Sequence, residues 1–298
     1  MSLGYFLIFI SASAFGLMPI FALFAYDSHV SVTTLLFLRF LFAAILFFIY
    51  LFFKNGLSFI SKKQIVSLIL LGGVLYTLQS TFYFSAVKFI PASLAALLLY
   101  LYPVFVTILS FFVNKEKIKK SVFVSIFISL FGMVFVLGSP NGNYNVKGIL
   151  LAFGAAIVYS IYIIVGGRIT STLSPLLTSA FISLFASISF LCFGTFTNSI
   201  NLNIGISGWI SILCIALISS VIAMTAFFAG IKITGPTKGS ILSMVEPVVT
   251  TIFSTFLFHD QMSFMQILGG LFVLAGAVLV VITSEKNKVI DQTSDIVN

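Results

Sequence analysis

Apolar runs of about 20 residues follow one another along the whole chain, each closed by a short polar stretch. Such a run crosses a hydrocarbon core of about 30 Å as a helix. The runs are continuously apolar, without the alternation of a membrane β-barrel strand, so helices are expected. Ten spans account for nearly every residue: 3–24, 33–53, 64–87, 92–113, 121–138, 148–167, 176–196, 208–231, 239–257 and 264–284. Turn-forming residues mark the connections, at Asp27 to Ser31, Asn55 to Ser58, Ser139 to Asn143, Ser174 with Pro175, and the Asn-rich 197–203.

The pattern occurs twice. The stretch from Tyr83 to Lys117 returns 144 positions later, with Phe84 on Phe228, Lys88 on Lys232, Leu98 on Leu242, Pro103 on Pro247, Val104 on Val248 and Thr107 on Thr251. Ten identities fall between positions 81 and 112, where unrelated segments of this composition would share roughly 3. The match begins with Gly4 over Gly148 and reaches Gly132 over Gly276, so each copy holds five spans. The expected units are 1–141, 142–285 and a short polar tail, 286–298. Five crossings are an odd number, so the second copy enters the membrane from the opposite side. The expected fold is all-α and integral to the membrane, with ten transmembrane helices as two inverted five-helix repeats. Inverted repeats serve alternating access, because exchanging conformations between the halves turns the molecule inside out.

Composition agrees with a membrane protein and narrows the chemistry. With 60% hydrophobic and 7% charged residues, too little polar surface remains to coat a water-soluble globule of 298 residues. The net charge of +8 resides in the connections, without a basic face suited to nucleic acid. If the N-terminus is cytoplasmic, the inside segments hold Lys54, Lys62, Lys63, Lys115, Lys117, Lys119, Lys120, Arg168, Lys232, Lys238, Lys286 and Lys288, against Lys88 and Lys147 outside. That bias places both termini in the cytoplasm of a cell (inner or plasma) membrane. Cys192 and Cys214 lie in apolar runs without redox or zinc spacing and read as packing residues. The first run lacks the flanks of a removable signal peptide and is expected to stay as a spanning helix.

Arg39 in FLRFLFAA, AVKFIPASLAALLLYLYPVFVTILSFFVNKEKI, GIKITGPTKGSILSMVEPVVTTIFS and the closing LGGLFVLAGAVLVV stand in an order and spacing that resembles the drug/metabolite transporter superfamily, specifically its EamA-like branch. The resemblance covers residues 3–284 in two copies. It implies a carrier of small organic solutes, many members exporting amino acids or related metabolites and others moving drugs, purines or sugars. The copies differ where ionisable chemistry sits: Tyr102 stands opposite Glu246, and Arg39 opposite Ser183.

Glu246, near the middle of the ninth span, is the sharpest candidate, since a carboxylate there is costly unless paired, hydrated or protonated. It either binds a substrate amine or carries a proton, or it ties two helices together. Pro247 removes a backbone donor and should loosen the bond to the carbonyl of Ser243. Arg39, in the outer third of its span, either binds a substrate carboxylate or snorkels to the headgroups as an anchor; a pair with Glu246 is also open. Tyr76, Gln79, Ser80 and Tyr83 share one helical face, and with Tyr100, Tyr102, Tyr159 and Tyr162 they line an aqueous cavity or bond helices together. Pro103 and Pro247 are candidate hinges in matching spans, or plain structural kinks. Gly132, Gly269 and Gly276 read as close helix contacts, and His29 and His259 as solvated loop residues.

No HExxH, GxSxG, Walker A or glycine-rich phosphate loop appears, so an enzyme, a metal and a cofactor are not expected. The sequence reads as a secondary transporter of small organic solutes, exporting aromatic or neutral amino acids or related metabolites. A drug, purine or sugar carrier is the alternative, and a membrane enzyme for lipid-linked substrates a more distant one. The expected partners are a small-molecule substrate and the lipid bilayer, with no nucleic acid, in a monomer or homodimer.

Overall fold

The computed structural model describes residues 2–54, 59–86, 89–90, 95, 98–115, 120–137, 145–258, 263–265, 267–279 and 282. Lys88, Lys117, Lys119, His259, Lys286, Lys288 and the expected unit boundary at 141/142 lie outside these. Among the described residues every regular element is helical. In chain order the helices are α1 (Ser2–Gly16), α2 (Met18–Asp27), α3 (Val32–Phe53), α4 (Lys62–Ile69), α5 (Thr77–Ala86), α6 (Tyr102–Asn114), α7 (Lys120–Leu137), α8 (Val146–Thr172), α9 (Pro175–Phe196), α10 (Ile206–Cys214), α11 (Ala223–Thr234), α12 (Pro236–Leu242), α13 (Glu246–Phe258) and α14 (Ile267–Leu279). Two π-helical turns, Leu70–Tyr76 and Ile215–Ile222, join α4 to α5 and α10 to α11. A 3-10 turn, Ser243–Val245, joins α12 to α13.

Among the described residues, six stretches are long and apolar enough to cross a membrane: Ser2–Asp27, Val32–Phe53, Lys62–Tyr83, Val146–Thr172, Pro175–Phe196 and Ile206–Thr234. Shorter apolar helices cover Tyr102–Val113, Lys120–Phe135 and Ile267–Leu279. The stretch expected as a continuous ninth span is divided into α12, the 3-10 turn and α13.

Local chemistry sets the helix starts. Ser31 accepts from the N–H of Thr34 at the head of α3, Ser174 from Leu177 ahead of α9, and Asn145 from Lys147 ahead of α8, each satisfying a donor that the first helical turn leaves open. Ser61 and Gln64 form a reciprocal capping box on α4. Between α1 and α2 the helix breaks at Leu17, and Pro19 lies in the first turn of α2. Proline has no N–H to offer the carbonyl four residues earlier, so an uninterrupted helix through that point loses a bond.

At the centre α3 packs along α9, with Phe40 stacked on Phe190 at 6.2 Å. Helix α1 lies against α11 and α13, while α8 lies against α5 and α6. Helices α7 and α14 cross with backbones nearly touching: a Cβ on Gly132 would stand 2.5 Å from the carbonyl oxygen of Gly269, and one on Gly276 would stand 2.8 Å from that of Ser125. Phe52, Phe53, Phe112 and Phe127 are more than 70% exposed, as expected where the surrounding solvent is lipid.

Candidate functional site

Glu246 is the first residue of α13, with Pro247 in the same turn. Proline is tolerated there because the first helical N–H groups lack intrahelical partners anyway, and a carboxylate in a first turn is favoured by the helix dipole. Glu246 is therefore held at a helix N-terminus and half-buried, not placed inside an unbroken span. The carbonyl of Ser243 is not left open as the sequence suggested, since it receives a backbone N–H from the following turn at Glu246. Pro103 likewise lies in the first turn of its helix, α6. Both prolines thus mark helix starts.

Tyr100, buried just ahead of α6, has its hydroxyl within interaction reach of the Glu246 carboxylate. From there a row of aromatic rings runs through the core. Tyr100 lies 6.2 Å from Tyr102, and Tyr102 lies 4.8 Å from Tyr159 in an edge-on contact. Tyr159 stacks on Tyr162 at 5.8 Å, Tyr162 meets Tyr76 at 5.6 Å, and Tyr76 meets Phe40 at 4.9 Å. Phe228 closes on Tyr162 from the side at 5.9 Å. Offset and edge-on contacts at these separations are the preferred aromatic geometries. The three-residue spacing of Tyr159 and Tyr162 puts them on one face of α8, where they stack.

The hydroxyl of Tyr102 donates to the carbonyl of Ser240 at 3.2 Å, and Ser160 donates to the carbonyl of Tyr102 at 3.4 Å. These bonds fix α12, α6 and α8 around the middle of the row. Of the stripe on the third apolar stretch, Tyr76 enters the row. Gln79 and Ser80 are buried and bonded to each other, Ser80 donating at 3.3 Å. Tyr83 packs in a separate apolar cluster with Ala86, Ile90 and Ala152.

Arg39 does not snorkel. It is 2% exposed and turned into the core. Its Nε donates to the Ser220 hydroxyl at 2.7 Å, Nη1 to the Met18 thioether at 2.9 Å and Nη2 to the Ser219 carbonyl at 3.1 Å. Its guanidinium carbon lies 4.7 Å from the centre of the Phe40 ring. Its donors engage these groups in place of Glu246, although the two charges stand within electrostatic reach of each other. Among the described residues no group of three or more His, Cys, Asp or Glu could hold a metal. Both cysteines are free, and Cys192 is exposed instead of packed in the interior.

Sequence reasoning missed Met18, Ser219 and Ser220 because a hydroxyl or thioether in an apolar run is unremarkable until a buried guanidinium is placed beside it. The π-helical turns left no sequence signal either.

Comparison with known proteins bears on this arrangement. The model of the EamA-like transporter family matches residues 2–138 and again 146–282. The uncharacterized transporter YetK of Bacillus subtilis (strain 168) is 26% identical over 257 residues, covering 84% of this chain and 78% of that protein. The aromatic amino acid exporter YddG of Ancylobacter novellus is 27% identical over 176 residues, covering 57% of this chain and 60% of that protein. A solved crystal structure superposes with a TM-score of 0.80 at 20% identity, over 93% of this chain and 98% of its own, a likeness of fold.

Proposed function

Since the chain belongs to the EamA-like transporter family and is a multi-pass membrane transporter, we propose that it is a secondary carrier exporting aromatic or other neutral amino acids by alternating access. The observation that carries this reading is the row of five tyrosines whose end lies beside the Glu246 carboxylate. A carboxylate suits the substrate amine, and flat ring faces with hydroxyl edges suit an aromatic side chain. In this reading Glu246 and Tyr102, Tyr159, Tyr162 and Tyr76 meet the substrate, while Gln79 and Tyr83 line its approach. The name of the similar exporter points the same way.

The carrier is proposed to be built of two inverted five-helix repeats, 1–141 and 142–285, with ten spans, hinges at Pro103 and Pro247, and both termini in the cytoplasm of the cell membrane. Reciprocal contacts support the inversion. A Cβ on Gly4 would meet Ile233 and Thr234, and one on Gly148 would meet Phe89 and Ile90, each pair 144 positions from its counterpart. The crossing of Gly132 with Gly269 and of Gly276 with Ser125 obeys the same exchange. Mutual exchange of this kind is the signature of a two-fold relation, in which i touches j and j touches i. Five crossings per copy lay that axis in the membrane plane.

The test is flux of labelled tryptophan and phenylalanine through purified protein in liposomes. Saturable exchange is the expected result. No amino-acid flux alongside flux of unrelated organic cations would replace this reading with the drug carrier. Thiols placed at Ser28 and Thr172, equivalent connections in the two copies, should be labelled from opposite faces; labelling from one face would end the inverted-repeat reading.

A further inference from the structure

The partners of Arg39 are not scattered; they grip one feature. Nη1 of Arg39 reaches Met18, the first residue after the break between α1 and α2. Its other donors reach Ser219 and Ser220 in the π-helical turn Ile215–Ile222. The hydroxyl of that same Ser219 donates at 2.8 Å to the carbonyl of Ala14, in the last turn before the break. The break is therefore held on both sides by groups tied to one guanidinium. Such a point needs outside donors, because an interrupted helix leaves its last carbonyls without intrahelical partners.

The break also touches the substrate end of the molecule. The carbonyl of Gly16 accepts from the Thr250 hydroxyl at 2.8 Å, and that hydroxyl lies 3.2 Å from the carbonyl of Glu246. A Cβ on Gly16 would stand 2.8 Å from the Glu246 carbonyl oxygen. A shift of the break thus moves the first turn of α13.

We propose that Arg39, with Met18, Ser219 and Ser220, is a clamp that fixes the α1–α2 break against the π-helical turn and so positions Glu246, acting as a positioning residue and not as a ligand for the substrate carboxylate. This rests on reading Glu246 as the substrate-binding carboxylate. A planar five-donor fork suits the task, since it reaches a carbonyl, a hydroxyl and a thioether at once, which a lysine ammonium on a flexible stem does less well.

The test uses Met18→Leu and Ser220→Ala, which keep shape and remove one acceptor each, beside Arg39→Lys. Two readouts are taken in liposomes. The first is the thiol-labelling rate of Leu17→Cys in a chain with Cys192 and Cys214 replaced by alanine, which needs no substrate. The second is the split between KM and maximal rate for labelled tryptophan exchange. Losing one hydrogen bond to a charged group should raise labelling about tenfold. The maximal rate should fall by a similar factor with KM unchanged, and Arg39→Lys should not rescue it. Unchanged labelling in both conservative variants would overturn the clamp. A raised KM at unchanged maximal rate would overturn it too, returning Arg39 to the substrate carboxylate. Faster labelling in a protein that moves no amino acid would keep the clamp and discard the substrate assignment.

Discussion

The two stretches that the family matches, 2–138 and 146–282, share their glycine contacts and differ in three linked places. Where the second copy has Glu246 at the head of α13, the first has Tyr102 at the head of α6. Where the first has Arg39 buried on α3, the second has Ser183 on α9, its hydroxyl 3.9 Å from the Met224 sulfur. Where α1 breaks after Gly16, against the Glu246 carbonyl, α8 runs unbroken through Ser160, whose hydroxyl reaches the Tyr102 carbonyl. The glycine contacts are shared by both copies, and the polar groups are not. Packing at a helix crossing tolerates little change because backbones already touch. A second buried arginine and carboxylate would add several kcal/mol of desolvation per ion. Divergence at the polar positions leaves one charged site where strict symmetry would demand two.

The largest test of this contrast is the pair Glu246→Gln and Tyr102→Phe, changes at equivalent positions. Loss of a charge-assisted contact, about 1.5–3 kcal/mol, should lower amino-acid flux roughly 10- to 100-fold in the first, and loss of a neutral hydrogen bond only a few-fold in the second. Both variants should elute as folded protein. Equal effects, or wild-type flux and pH dependence for Glu246→Gln, would assign Glu246 to structure.

Next come Gly132→Val and Gly276→Val, which attack the shared part. Each forces a side chain into a backbone contact and should destabilise by about 1–3 kcal/mol, read as a fall in Tm in detergent. The two falls should match; a drop in one alone would break the reciprocity.

A smaller contrast is expected where the copies differ in packing. Gly16→Ser places atoms against the Glu246 carbonyl and should cost about 1–3 kcal/mol by overpacking, whereas Ser160→Gly should cost only about 0.5–1 kcal/mol in helix propensity, plus a weak bond. Thermal unfolding orders the two, and the reverse order would refute the claim that the break is packed against α13.

The smallest effect belongs to Arg168. Its side chain is exposed and donates to the Val113 carbonyl at the end of α6, while the equivalent position holds Phe24. Arg168→Gln should change stability by less than about 1 kcal/mol, since exposed charged contacts are worth little. A larger loss of Tm would make Arg168 part of what closes that end of the molecule.

Membrane class, helicity and family were legible because they rest on properties summed over many residues. Apolar runs with few charges leave helices as the expected spanning structure, and the fourfold run of motifs around Arg39 and Glu246 carried the family. The spacing of Tyr159 and Tyr162, three apart on one helix, was legible too, though not that their rings stack. That Tyr76 meets Phe40 and Tyr162 was not, because those partners come from α3 and α8.

By itself, then, the sequence determined what each stretch must be: an apolar helix, turn residues such as Ser31 and Ser174 at its ends, and a charge within it that must find partners. The tertiary structure alone decided which partners. Arg39 turns to Met18, Ser219 and Ser220 instead of the headgroups, and Glu246 lies beside Tyr100, because these groups come from stretches more than a hundred residues apart or, for Met18, from the preceding helix. Helical periodicity fixes only neighbours within a few turns. The company that a buried charge keeps is set by which helices cross beside it.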